Sequence, residues 1–197
     1  MTVLRNFSPK QKFWAIGQTI TGNFHFSKKE TLYTWLTYYS PGRFRNNFTA
    51  TAKSPATTPQ TYTYRVTGTW RFRAVSVGWK HYFKGAFNEE NTWSLYSLAG
   101  FGLMFNKAEN RFHNPVDTAL YQPEVAPVEG KDVFRRLTFD LGLGVDIPIG
   151  ADIYLYTDGK TFAPTSGYPS PLLHENKNVP LSFMLNVGIR ILFGSSY

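Results

Sequence analysis

The residues best placed to form a buried ionic network are charged side chains that alternate with apolar ones. Asp140 and Asp146 are an even number of positions apart, so on a strand both face the same side. Arginine binds carboxylates through paired hydrogen bonds, and a buried charge without a partner is unfavourable. We therefore expect a polar network that blocks an enclosed interior, formed by Arg65, Arg71, Arg73, Arg136, Asp140, Asp146 and Arg190. Two carboxylates cannot neutralise five arginines, so carbonyls, hydroxyls, water or further chain must satisfy the rest.

A second group of cations falls in or beside the long connections described below. It comprises Lys10, Lys12, Arg43, Arg45, Lys53, Lys107 and Arg111, together with Lys160 and Lys177. The formal net charge is +8, but no basic helix or nucleic-acid motif accompanies it, so nucleic acid is not an expected partner. We expect these side chains to bind the phosphates of outer-membrane lipid, lipopolysaccharide in particular. Solvated loop charges are the alternative.

Other site chemistries have little support in the sequence. His25, His81, His113 and His174 are far apart, and the chain contains no cysteine, so no metal site is expected. The Gly142-Leu143-Gly144 run lacks the Gly-Lys-Ser/Thr of a phosphate loop. No Ser-His motif indicates a nucleophile and its base. We therefore predict no cofactor and no enzymatic activity.

The elements that must position these residues are strands, because apolar and polar residues alternate over spans of about 9 to 11 residues or more. The clearest segments are 14–26, 92–106, 136–147 and 181–193. In 136–147 the leucines share one face, and Arg136, Asp140 and Asp146 share the other. This pattern is typical of a transmembrane β-barrel whose wall faces lipid on one side and a polar interior on the other.

Two segments are less regular. In 61–84 the apolar residues change phase, from Tyr64 and Trp70 at even positions to Val75 and Val77 at odd ones. We interpret this as a β-bulge near Ala74, which places Arg65, Arg71 and Arg73 inside. Segment 31–52 contains Pro41-Gly42 and could be either a turn or one continuing strand; we favour continuation.

Short and long connections alternate, as in barrels with short periplasmic turns and longer external loops. The long set is Lys53–Gln60, Asn106–Asp132 and Gly159–Asn178. Strand 13–26 then runs inward, so an outward strand must precede it, and Thr2–Phe7 is the available segment. We therefore expect eight strands, with the chain beginning partway along the first. Asp158 is expected at an external loop edge.

The C-terminal half resembles the eight-stranded outer-membrane barrels abundant in Bacteroidota. The residues that carry this resemblance are 98–105, 136–144 and 186–193. It implies that the terminal aromatic Phe193 is read by the barrel-assembly machinery. Asp117-Thr118-Ala119 similarly resembles the short sites that Bacteroidota O-glycosylate, which makes Thr118 a candidate for modification.

We therefore predict an all-β fold: a single domain over 1–197 that forms an antiparallel up-and-down transmembrane barrel of the Gram-negative outer membrane, from which a signal peptide has been removed. The expected function is structural or binding, as an anchor or an accessory subunit of a larger complex with other outer-membrane proteins. Loops 106–132 and 159–178 would be its contact surface. The alternatives are a lipid-modifying enzyme and a soluble lipocalin-like binding barrel.

Overall fold

The structure, a computed structural model, describes residues 1–7, 12–126, 128–150, 152–165, 172 and 182–194. These residues form ten strands in chain order: β1 (Thr2–Asn6), β2 (Phe13–His25), β3 (Glu30–Tyr39), β4 (Gly42–Ala52), β5 (Thr61–Lys84), β6 (Ser94–His113), β7 (Tyr121–Pro123), β8 (Gly130–Gly150), β9 (Ile153–Pro164) and β10 (Ser182–Ile191). Among the described residues, no helix has the length and apolarity needed to cross a membrane.

Eight of these strands form a closed antiparallel ring. The order is β1, β2, β3, β5, β6, β8, β9 and β10, and β10 pairs with β1 again. At the closure, Thr2 of β1 lies opposite Asn186 of β10 and Gly17 of β2. The predicted eight-stranded barrel, with its first strand near the N-terminus, is therefore confirmed.

β4 continues β3 beyond Pro41. Both strands pair with β5: β3 lies beside residues Arg73 to His81, and β4 lies beside residues Thr61 to Trp70. The prediction that segment 31–52 continues as one strand is therefore confirmed. The short strand β7 adds to the far edge of β4 at residues Ala50 to Ala52.

The barrel wall turns apolar side chains outward and polar ones inward along its lower part. Leu141, Leu143 and Ile189 are 46%, 60% and 64% exposed, whereas Asp140 and Asp146 are 0% and 1% exposed. The outward apolar residues form a band around the barrel that includes Ile16, Ile20, Leu36, Val75, Val77, Phe101, Leu103, Leu137, Phe139, Leu185 and Val187. Where neighbouring strands pair around the ring, their backbone groups hydrogen-bond to each other, as lipid requires.

Three strands are much longer than a bilayer needs. β5, β6 and β8 contain 24, 20 and 21 residues, whereas a spanning strand needs about 9 to 11. They extend the barrel on the side of the long connections, which is the external side. The predicted loop 106–132 is therefore reduced to residues 114–129, and residues 159–164 of the other predicted loop belong to β9. Residues 166–171 and 173–178 of that loop lie outside the described residues.

The predicted bulge near Ala74 is wrong. The pairing of β5 with β6 is continuous from Arg65 opposite His113 to Tyr82 opposite Tyr96, and the register shifts only after Tyr82. Even-numbered residues of β5 point inward on both sides of Ala74. What changes is the environment outside the wall: lipid beside Val75 and Val77, and water farther out. The apolar residues of the external extension therefore lie inside the barrel.

Candidate functional site

An aromatic cluster closes the external half of the barrel interior. The ring of Phe13 lies 5.7 Å from that of Trp70 and 5.6 Å from that of Phe72, and the rings of Trp70 and Phe72 are 4.9 Å apart. These three side chains are 2% exposed, and Tyr39 and Phe162 beside them are 1% and 2% exposed. Rings of this size fill an eight-stranded barrel, whose interior is just wide enough for side chains.

A buried ion pair lies in the middle of the interior. Lys160 Nζ is 3.0 Å from Asp140 Oδ2, and both side chains are fully buried. Ser76 and Thr138 donate hydroxyl hydrogen bonds of 2.6 and 2.8 Å to the Asp140 carboxylate. Lys160 Nζ also lies 3.9 Å from the centre of the Trp35 ring. The carboxylate and the ammonium therefore each have partners in a layer that separates the two halves of the interior.

A second ionic cluster surrounds Asp146 near the periplasmic end. Its carboxylate lies 3.5 Å from Lys80 Nζ and 3.1 Å from Arg190 Nη2, and it accepts a 2.9 Å hydrogen bond from the Tyr82 hydroxyl. Arg190 also donates to the carbonyl of Phe87, in the turn between β5 and β6. This cluster therefore ties three strands and one periplasmic turn together.

The structure brings four of the seven predicted network residues inside the barrel. Arg136, Asp140, Asp146 and Arg190 are buried, with exposures of 4%, 0%, 1% and 7%. The predicted inward orientation of Arg65, Arg71 and Arg73 is wrong, because these odd-numbered residues of β5 are exposed on the outer surface. They face outward because the phase of β5 is unbroken.

Three interior charges were missed from the sequence: Lys80, Asp158 and Lys160, which are 4%, 3% and 0% exposed. Asp158 was expected at a loop edge, and Lys160 on the external rim. The signal was present, since Tyr154, Tyr156, Asp158, Lys160 and Phe162 alternate with outward residues along β9. Among the described interior residues, four cations now face three carboxylates, which removes most of the predicted charge mismatch.

Below the Lys160–Asp140 pair lies a cavity of about 840 Å³, here called the vestibule, whose wall includes Lys80 and Arg190 of the Asp146 cluster. Its walls include Asn23 of β2, Trp35 of β3, and Tyr156 and Asp158 of β9, with Arg190 near the mouth. The mouth is bordered by Asn88, Glu90, Asp152 and Gly194, which belong to the periplasmic turns and the end of the described chain. Ile20 of β2 and Ile189 of β10 also line the cavity.

The outer surface of the external extension carries a cluster of cations, here called the basic patch. All of its members are exposed on the outward faces of β4, β5, β6 and β8: Arg43, Arg45, Arg71, Arg73, Lys107, Arg111, Lys131 and Arg135. Glu109 is the one carboxylate among the described residues of these outward faces, which cover residues 43 to 49, 65 to 73, 105 to 113 and 131 to 135. The patch therefore has a strong positive excess.

The basic patch begins one row beyond the apolar band. Register places Tyr38, Arg73, Phe105 and Arg135 side by side on four neighbouring strands. Arg73 lies 5.4 Å from the centre of the Tyr38 ring, and Arg135 lies 5.7 Å from the centre of the Phe105 ring. Alternating aromatic and cationic side chains at this height suit the boundary between hydrocarbon and headgroups.

Glu109 sits farther from the apolar band, between two cations. Its carboxylate lies 3.0 Å from Arg111 Nη2 and 3.7 Å from Lys131 Nζ. The hydrogen bond from Arg111, with the charge of Lys131, holds the pKa of Glu109 below its usual value. Glu109 therefore stays ionised and neutralises part of the patch.

The cations predicted for the external rim have several locations. Arg43, Arg45, Lys107 and Arg111 belong to the basic patch, while Lys12 and Lys53 are exposed elsewhere on the surface. Lys53 donates a 2.7 Å hydrogen bond from Nζ to the carbonyl of Thr118. Lys160, expected on this rim, is buried instead, since β9 extends beyond the predicted loop boundary. Lys10 and Lys177 lie outside the described residues.

Two further predicted positions are both solvent-accessible. Thr118 is exposed in a turn in which Asp117 Oδ1 accepts a 2.8 Å hydrogen bond from the Ala119 amide. Phe193 is 91% exposed just after β10, at the periplasmic end. Its exposure leaves the side chain accessible to a partner.

Comparisons with known proteins support the fold. No protein-family model matches the sequence, and no curated protein matches it either. Among solved structures, Ail, the attachment invasion locus protein of Yersinia pestis, in complex with the heparin analogue sucrose octasulfate, is 10% identical. The alignment covers 96% of this chain and 92% of Ail, with a TM-score of 0.51. CarO of Acinetobacter baumannii is 13% identical over 98% of this chain and 97% of that one, with a TM-score of 0.42.

At this identity the similarity to Ail concerns the fold. The closed eight-stranded ring and the apolar outer band agree with it. The chain is an eight-stranded β-barrel of the Gram-negative outer membrane.

Proposed function

We propose that this barrel is a non-conducting, membrane-anchored binding protein whose basic patch holds phosphate groups of outer-leaflet lipid. The observation that carries the proposal is the position of the patch, which starts immediately outside the apolar band and faces sideways, away from the barrel axis. Cations at this height meet the headgroup layer, where Arg and Lys form charge-assisted hydrogen bonds with phosphates. Lipopolysaccharide, with phosphates on its lipid A, is the proposed ligand.

The basic patch also suits soluble polyanions, because it extends several rows above the apolar band. Ail, whose fold is similar, was solved with sucrose octasulfate. We favour lipid because Arg73 and Arg135 lie beside the last apolar row, a height that a soluble polysaccharide reaches less readily. Binding of heparin without any response to lipopolysaccharide would favour the polyanion instead.

The test compares two double variants in detergent. Arg73→Gln/Arg135→Gln removes two charges beside the headgroup layer, and Lys28→Gln/Lys29→Gln removes two exposed charges from the periplasmic rim. Lipopolysaccharide should raise the melting temperature of the unmodified protein and of the periplasmic variant, and raise that of the patch variant much less. The proposal would be contradicted if a zwitterionic lipid raised the melting temperature equally, or if both variants lost the lipopolysaccharide-induced rise to the same extent.

An accessory role in a larger outer-membrane complex remains part of this proposal, as does an origin in Bacteroidota. The loop 114–129 offers a contact surface held in place by hydrogen bonds: Tyr64 donates to the carbonyl of Val125, and Lys53 donates to that of Thr118. Co-purification of the protein from its native membrane in mild detergent tests for partners.

The proposal assigns no reaction to the chain. A lipid-modifying enzyme would release or transfer acyl chains when the purified protein meets phospholipid or lipopolysaccharide, and product formation would favour that alternative. The outward apolar band opposes a soluble lipocalin-like barrel, because side chains such as Leu143 and Ile189 would then face water.

A further inference from the structure

The vestibule contains two buried, oppositely charged side chains whose bonding capacity is incompletely used. Asp158 is 3% exposed and Arg190 is 7% exposed, and both line the cavity. Within the described part of the chain, Asp158 Oδ1 and the Nε and Nη1 atoms of Arg190 have no hydrogen-bond partner. Buried groups of this kind normally have partners, so each such atom calls for an explanation.

Neighbouring groups use only part of the hydrogen-bonding capacity of Asp158 and Arg190. Tyr96 forms a hydrogen bond with Asp158, and Arg190 uses Nη2 for Asp146 and for the carbonyl of Phe87. No ion pair within 4.0 Å joins Asp158 to a cation among the described residues. The carboxylate therefore retains an acceptor site at the cavity wall, and the guanidinium retains donors.

Charge balance limits the kind of ligand that fits. Among the described buried residues of the periplasmic half, Lys80 and Arg190 are balanced by Asp146 and Asp158, while Glu90 and Asp152 lie at the mouth. A ligand with a net charge would disturb the balance of the buried groups. A zwitterion preserves that balance, because its ammonium group can bind Asp158 while its anionic group binds Arg190. Asn23 and the ring of Tyr156 add a polar group and an aromatic surface to the same wall.

The register of β9 and β10 indicates the length of that ligand. Arg190 lies opposite Tyr154, and Asn186 lies opposite Asp158, so the two charged residues are four positions apart on neighbouring strands. At about 3.3 Å per residue, this corresponds to roughly 13 Å of strand. This spacing refers to backbone positions, and the Asp158 and Arg190 side chains take up part of it, so the geometry favours a ligand that is longer than an α-amino acid and shorter than the strand spacing.

We propose that the vestibule is a binding site for a small, elongated zwitterion that enters from the periplasm, with Asp158 binding its cationic end and Arg190 its anionic end. The site is separate from the basic patch on the outer surface. Loss of lipid binding at the patch would therefore leave it unaffected.

The test is calorimetric titration of the detergent-solubilised barrel with 6-aminohexanoate as the probe. Saturable binding is expected, with hexylamine, hexanoate and glycine each binding at least tenfold more weakly. Asp158→Asn should weaken binding at least tenfold, while Asp117→Asn, which removes an exposed carboxylate in an external turn outside the vestibule, should leave it unchanged. No saturable binding, equal binding of hexylamine, or equal loss in the two variants would overturn the proposal.

A second measurement covers the case in which Asp158→Asn fails to fold. Because the chain has no cysteine, Asn23→Cys creates a single labelling position in the vestibule wall. 6-Aminohexanoate should slow maleimide labelling there, and hexanoate and hexylamine should not. Labelling at the same rate with and without 6-aminohexanoate would overturn the proposal.

Discussion

Lys160 and Asp140 face each other inside the barrel, with Nζ 3.0 Å from Oδ2 and no exposed side-chain surface on either residue. Removing one partner of such a pair leaves a buried charge uncompensated, which typically costs about 3–5 kcal/mol. Lys160→Met should therefore lower the free energy of unfolding by about this amount. Urea unfolding followed by tryptophan fluorescence measures it.

The double variant Lys160→Met/Asp140→Asn provides the control, because it removes the remaining charge as well. It should recover part of the stability lost in the single variant. If Lys160→Met costs no more than Lys28→Met, at an exposed position, the pair contributes nothing beyond a surface charge.

The position of the apolar band can be tested on a single strand. Leu141 and Val133 both point outward on β8 and are 46% and 70% exposed, but only Leu141 lies within the band. Leu141→Arg should destabilise the folded barrel in lipid by about 2–4 kcal/mol, whereas Val133→Arg, in the external extension, should cost less than about 1 kcal/mol. Folding titrations in lipid vesicles measure both, and equal costs would mean that the band is misplaced.

Closure of the interior predicts that the barrel does not conduct. The rings of Phe13, Trp70 and Phe72 fill the external half, and the Lys160–Asp140 layer lies below them. Reconstituted protein should give no sustained single-channel current in planar bilayers. Trp70→Ala/Phe72→Ala should raise the frequency of brief openings, while Val75→Ala, on the lipid face of the same strand, should not. A steady, ion-selective current from the unmodified protein would contradict this prediction.

Much of the fold was predictable because one rule governs most strands. Where lipid surrounds the wall, apolar residues face outward, and the alternation in 136–147 and 181–193 identified both faces of β8 and β10. The rule reverses in the external extension, where water surrounds the wall and the apolar side chains turn inward. At Ala74 this reversal resembles a bulge in the sequence, because either event shifts the apolar residues by one position.

The length of β5 was the signal that separates the two interpretations. Its 24 residues are more than twice the about 9 to 11 residues of a bilayer span. Arg71 and Arg73 share their face with threonines, which suit a wet surface. The charges of β9 were missed for a related reason, since the loop was predicted to begin at Gly159 and β9 continues to Pro164. The pairing of Lys160 with Asp140 depends on the order of strands around the ring, which the sequence alone left open.

Glu109 is the one carboxylate on the described outward faces of the basic patch. Its removal tests the proposed ligand in the opposite direction, because lipid binding should become stronger. Glu109 neutralises Arg111 and Lys131, at 3.0 and 3.7 Å. Glu109→Gln removes that negative charge and leaves both cations free to contact phosphate. Because Glu109 is partly exposed on the outward face of β6, the variant should keep its stability without ligand, since ion pairs at the surface contribute at most about 1 kcal/mol. The rise in melting temperature caused by lipopolysaccharide should increase, and it should fall as salt is added, since salt screens exposed charges.

Glu129→Gln, in the neighbouring loop, is the matched control, because it removes an exposed carboxylate outside the patch. An unchanged or smaller response in Glu109→Gln would show that the charge of the patch does not determine lipid binding.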